Sequence, residues 1–133
     1  MKVLIDTNVL ISAALFPGSF ADRAYQSLVN SNNEIIICDY VLNEMEIVFN
    51  RKFPSKTAAL QEFISMISEL FKVVEVPDGY SQYEIRDIKD EPILRTALYY
   101  DVDIILTADK DFSAVEMSKP IVVTPKQYVE QTY

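Results

Sequence analysis

Asp6, Glu44, Asp90 and Asp109 are the side chains best suited, by type and position, to do chemistry in this sequence. Asp6 directly follows the apolar run Val3-Leu4-Ile5, and Asp109 follows Ile104-Ile105-Leu106 after Thr107-Ala108. Carboxylates are the only strong metal ligands available, because there is no histidine and one cysteine, Cys38. The missing imidazole excludes Ser-His-Asp and Cys-His catalysis and every zinc site that needs histidine. With only Gly18 and Gly79, neither a dinucleotide fingerprint nor a P-loop can be written. Carboxylates in a group can hold a hard divalent cation, since Mg²⁺ and Mn²⁺ take oxygen ligands. A few ångströms apart they repel one another, and some protonate at neutral pH unless a cation sits among them. Taken singly, an acid after a strand is as readily a helix cap or a solvated charge.

These acids need elements that bring them together. Residues 2–5, 35–38, 72–76, 103–106 and 121–123 read as short apolar strands. The apolar stretch 9–15 starts a helix that Phe16-Pro17-Gly18-Ser19 cuts off, and Ser19 caps the next, over about 20–30. Asp39 is the expected cap of a helix over about 40–50. The clearest helix is 56–71, with Leu60, Phe63, Ile64, Ile67, Leu70 and Phe71 on one face. Pro77-Asp78-Gly79 ends the third strand, and 80–89 is loop or a short helix. A helix follows over about 91–100, with Pro92 in its first turn. Asp109 can cap a short helix, and Pro125 opens the last. Strands alternating with helices imply an α/β fold, its parallel sheet covered on both faces. Ligands in such sheets sit beyond the carboxyl ends of the strands, near a switch in strand order. Asp6, Glu44, Asp90 and Asp109 all fall near that edge. On the helical wheel, Val41, Leu42, Met45, Val48 and Phe49 form the apolar face. Periodicity favours Glu44 over Glu46, by a small margin, as the partly buried acid.

The 133 residues, 50% hydrophobic and 24% charged, suit one folded domain over 1–133 with a core of its own. There is no repeat or linker. No apolar run approaches a membrane span. Lys2 precedes only three apolar residues before Asp6, so no signal peptide is expected; with the lone cysteine, a cytoplasmic, reducing setting fits. Cys38, in an apolar strand, reads as a packed small residue. The net charge of −8 lacks the basic footprint of an avid nucleic-acid binder. The basic groups are Arg51-Lys52 with Lys56, the Arg86/Lys89 pair, and Lys110 beside Asp109. Phe63 and Phe71 belong to the core, whereas Tyr80, Tyr83, Tyr99 and Tyr100 are free of that pattern and can stack bases.

Four segments in order carry a resemblance. They are Val-Leu-Ile-Asp6-Thr7-Asn8, Asp39-Tyr-Val-Leu-Asn-Glu44, Asp87-Ile-Lys-Asp90-Glu91-Pro92, and Ile-Leu-Thr107-Ala-Asp109-Lys-Asp111-Phe112. Together they resemble the PIN domain, and most of all its branch of toxins from toxin–antitoxin systems related to VapC. The likeness runs from residue 2 to about 124. It implies a three-layer α/β/α sandwich with strand order 3-2-1-4-5, in which Asp6 and Asp109 lie side by side. It also implies a ribonuclease dependent on Mg²⁺ or Mn²⁺. Carried over by position, the metal-binding quartet is Asp6, Glu44, Asp90 and Asp109. Thr7, Asn8 and Thr107 would orient the carboxylates and water. Asp111 matches a further acid of this branch, ahead of Asp87. Ala108 stands where Gly or Arg is frequent, and Glu91 where a second Asp is usual; neither departure removes a quartet acid. An antitoxin and a homodimeric twin are partners the resemblance implies. The helix at 56–71 is read as covering the sheet rather than meeting that twin.

The chemistry expected is water attack on an RNA phosphodiester, leaving a 5′-phosphate and a 3′-hydroxyl. Two other readings stay open. An aspartate-nucleophile phosphohydrolase wants a second acid at position 8, where Asn8 stands. A non-catalytic interaction module of the same fold would keep the acids without using them.

Overall fold

The computed structural model describes residues 1–133 and contains a single parallel sheet of five strands in the order β3-β2-β1-β4-β5. The strands are β1 Lys2–Ile5, β2 Glu34–Cys38, β3 Lys72–Val74, β4 Ile104–Leu106 and β5 Ile121–Val123. The helices are α1 Thr7–Leu15, α2 Phe20–Val29, α3 Asp39–Lys52, α4 Thr57–Leu70, α5 Glu91–Tyr99, α6 Lys110–Ser113 and α7 Pro125–Glu130. Single 3-10 turns precede α4 (Pro54–Lys56) and α5 (Ile88–Asp90). This is the expected α/β sandwich with the expected strand order.

The central strands are apolar on successive residues because both of their faces are covered. Val3, Leu4 and Ile5 are buried, as are Ile35, Ile36, Ile37 and Cys38 of β2 and all three residues of β4. Register pairs Val3 with Ile35 on one side and with Ile104 on the other. α2 packs on α1 and α7, while α3 touches α1, α4 and α5. One continuous core runs through these layers.

The chain winds outward from β1 through β2 to β3, then returns across to β4. The order therefore reverses between β1 and β4, the kind of switch point outside whose carboxyl ends such sheets bind ligands. The β1–β4 ladder persists one step beyond the strand: the Asp6 amide donates to the Leu106 carbonyl at 3.0 Å. Side-chain caps then turn the chain into helices. Ser19 accepts from the Asp22 amide, and Thr124 with Gln127 closes a capping box ahead of α7.

Two local expectations are corrected. Asp39 is the first residue of α3 rather than its cap; its carboxylate accepts from the amides of Tyr40 (2.8 Å) and Val76 (3.3 Å). It thus ties α3 to the segment leaving β3. Leu70, placed on the apolar face of α4 by periodicity, is 53% exposed. The helix ends there, and Phe71 takes the buried position instead. Otherwise α4 does as expected, packing on α3 and β3 with Leu60 and Ile67 buried.

Candidate active site

Asp6 is held by both oxygens. As the cap of α1 it accepts from the Thr7 amide at 2.7 Å through Oδ1, and from the Thr107 hydroxyl at 2.7 Å through Oδ2. Thr107 in turn accepts from the Asp109 amide at 3.0 Å. One hydroxyl therefore locks the acid after β1 to the acid after β4. On the other side, the Thr7 hydroxyl donates to Glu44 Oε1 at 2.8 Å, reaching α3. Glu44 is half-buried and Glu46 exposed, in line with the wheel. Asn8 does something else: its side-chain oxygen accepts from the Ala108 amide at 3.4 Å, and it makes no hydrogen bond to a carboxylate.

Asp90 arrives from the 3-10 turn that Asp87 caps by accepting from the Lys89 amide. That turn is fixed to α3 by the Tyr40 hydroxyl, which donates to the Lys89 carbonyl at 2.8 Å. Asp109 caps α6 by accepting from the Asp111 amide, which directs Asp111 back to the same edge. Asp87, Asp90 and Asp111 each present an oxygen within 4.8 Å of the others. Arg86 forms an ion pair with Asp111, the guanidinium largely in solvent and the carboxylate 13% exposed.

The electrostatics follow from that crowding. Burial pushes Asp6 up to about 6; the Thr107 and Thr7 hydrogen bonds oppose this, and the charges of Glu44 and Asp109 add to it. Asp90 is pushed further, to about 8, by burial first, then by the close approach of Asp109, with Asp6 and Asp87 contributing. Glu44 is raised by burial against the Thr7 hydrogen bond and the Lys89 charge. Burial also lifts Tyr40 to about 12, with Glu44, Asp90 and Asp87 adding to the effect, so it stays a hydrogen-bond donor.

The donor set fits a hard divalent cation. It is all carboxylate oxygen, and Asp90 Oδ2 is buried with no hydrogen-bond partner, an atom that a cation would satisfy. Asp6, Glu44, Asp90, Asp109 and Asp111 gather at one sheet edge, together with Thr7 and Thr107. Three participants carried little signal in sequence. Asp87 joins the tight oxygen cluster although Asp111 ranked above it. Tyr40 acts through a carbonyl that no motif marks. Glu91, the departure from the usual Asp, is 6% exposed and accepts from the Ser81 amide at 2.8 Å. The Arg51-Lys52 cluster sits at the far end of α3, roughly 10 Å along the axis from Glu44.

Comparison with known proteins identifies the family and the fold. The family model of the PIN domain matches residues 2–111. Among solved structures, VapBC2 from Rickettsia felis, bound to a DNA fragment from its promoter, superimposes with a TM-score of 0.70 at 16% identity. That match covers 93% of this chain and 98% of the other. Mycobacterium tuberculosis VapC20, a Sarcin-Ricin loop cleaving toxin, gives a TM-score of 0.62 at 15% identity over 84% of this chain and 93% of that one. At such identities the likeness is one of fold. No curated protein sequence matches.

Proposed function

Because the chain belongs to the PIN domain family, we propose that it is a divalent-metal-dependent ribonuclease, the toxin of a toxin–antitoxin pair, with residues 1–133 acting as one PIN-like unit. The observation that carries this reading is the crowding of carboxylates that are costly to ionise together, one of them with a buried oxygen that nothing donates to. Asp6, Glu44, Asp90 and Asp109 would hold Mg²⁺ or Mn²⁺, with Asp111 beside them. Bound there, the cation supplies Lewis acidity to a phosphoryl oxygen and a lowered pKa to water.

The chain's own groups do the rest. Thr107 and Thr7 fix the directions in which Asp6 and Glu44 present their oxygens. Tyr40 holds the turn that carries Asp90. Water attacks phosphorus in line, the P–O3′ bond breaks, and the products are a 5′-phosphate and a 3′-hydroxyl. With no histidine, the acids are the groups available to orient that water. The Rickettsia felis VapBC2 assembly supports an antitoxin as protein partner, and the Mycobacterium tuberculosis toxin supports a cleaving role.

The test is cleavage of end-labelled RNA by pure protein with Mn²⁺ or Mg²⁺, against EDTA and Asp6→Asn controls. Metal-dependent cleavage that vanishes in the variant is expected. A 2′,3′-cyclic phosphate end, or cleavage indifferent to EDTA, would refute the mechanism.

A further inference from the structure

A second recess lies against α5, between that helix and the segment 77–82. It is a cleft of about 470 Å³ whose walls include Asp78, Tyr80, Gln82, Arg95 and Tyr99. Arg95 also lines a neighbouring cleft with Asp39, Tyr40 and Asn43, so the two recesses share one side chain. The second cleft leads to the metal-site acids: Tyr40 holds the residue before Asp90, and Asn43 precedes Glu44.

Several features of the first cleft are unusual for plain surface. Tyr80 is 84% exposed and Tyr99 69%, so two large rings stand in water on one recess. Tyr80 is nevertheless placed, because the Arg95 guanidinium lies 5.4 Å from its ring centroid. Arg95 is itself held at 3.7 Å by the buried Glu91, and that same carboxylate pins the loop at the Ser81 amide. The Arg95 Nε is buried and makes no hydrogen bond. Tyr99 stands edge-on to Tyr100 with centroids 4.9 Å apart. The platform is thus oriented from below and bare above.

Charge decides what it takes. Asp78 and Asp39 stand at these recesses in a chain of net charge −8, and Glu91 already neutralises Arg95, so a phosphate is disfavoured. A base is not: its flat face stacks on tyrosine, and carboxylate and amide groups hydrogen-bond its polar edge. We propose that this cleft binds an unpaired nucleobase of the RNA that flanks the scissile bond, stacked on Tyr80 and read by Gln82 and Asp78. The inference rests on the ribonuclease reading above.

The experiment measures anisotropy of a fluorescein-labelled, single-stranded RNA 12-mer of mixed sequence, with Mn²⁺, on the Asp6→Asn protein with and without Tyr80→Ala or Tyr80→Phe. Tyr80→Ala is expected to weaken binding about tenfold, by the same factor at low and high salt, and Tyr80→Phe to bind as the parent does. An unchanged affinity in Tyr80→Ala would overturn the proposal, as would a loss that disappears at high salt or equal competition by duplex RNA. Cleavage by otherwise native protein separates the two readings. If Tyr80→Ala cuts with unchanged KM, the base site fails and the nuclease stands. If the parent neither binds nor cuts RNA, both fail.

Discussion

Asp6 is at once a helix cap, a partner of Thr107 and a candidate metal ligand, and its burial gives these roles a measurable pH signature. Its folded pKa, about 6, lies above the ordinary 3.8. Protonation is thus favoured by folding: the stability it contributes is fully present below the ordinary value and is lost as pH rises through about 6. Asp90, raised to about 8, extends the same slope upward. In EDTA the unfolding midpoint is expected to fall between pH 5 and 8, and Mn²⁺ to restore it at pH 8 far more than at pH 5, as calorimetry would show. Asp6→Asn removes a buried charge, so it is expected to raise the midpoint in EDTA at pH 8 while abolishing cleavage. Thr107→Val strips the donor from Asp6 Oδ2 and is expected to cost about 1–3 kcal/mol in denaturant unfolding. Asp6, Asp90 and Asp109 were legible because each follows a strand or opens a helix, and Glu44, inside α3, because it borders that helix's apolar face. Thr7 and Thr107 entered through the resemblance, and the hydroxyl bridge between Asp6 and Asp109 needed coordinates.

At the scale of elements, the 3-10 turn Ile88–Asp90 positions Asp90, and Tyr40 of α3 is what fastens it. Tyr40→Phe keeps the ring and removes only the hydroxyl. The expected result is roughly tenfold slower cleavage, the scale of losing a positioning contact, with an unfolding midpoint close to the parent's. Strands β1, β2 and β4 were plain in sequence because double burial forces uninterrupted apolar runs. α4 was plain because its apolar residues repeat with helical period. The segment 75–89 was not, for its form depends on contacts made by side chains far away: Asp39 holds the Val76 amide and Glu91 the Ser81 amide. Leu70 misled for a similar reason, since periodicity extends a face past the point where the chain leaves the helix.

Across the whole molecule, the proposed reading asks a protein of net charge −8 to hold a polyanion with few cations. Lys89 and Lys110 are exposed beside the acids, while Arg51 and Lys52 lie at the opposite end of α3. Reversing both of the latter to glutamate is expected to change cleavage less than twofold, whereas Lys110→Glu is expected to slow it and to flatten its dependence on salt. Cleavage rates across an ionic-strength series would settle the comparison. The reversal of strand order between β1 and β4 has a consequence for biosynthesis. Asp6 leaves the ribosome early, but Thr107 and Asp109, its partners across the switch point, follow about a hundred residues later. A nascent chain ending before β4 has no Thr107 to bridge to Asp6 and no Asp109 to crowd Asp90. The site is therefore complete only once nearly all of the protein has been translated, and a shorter nascent chain carries Asp6 and Glu44 without the partners that follow β4.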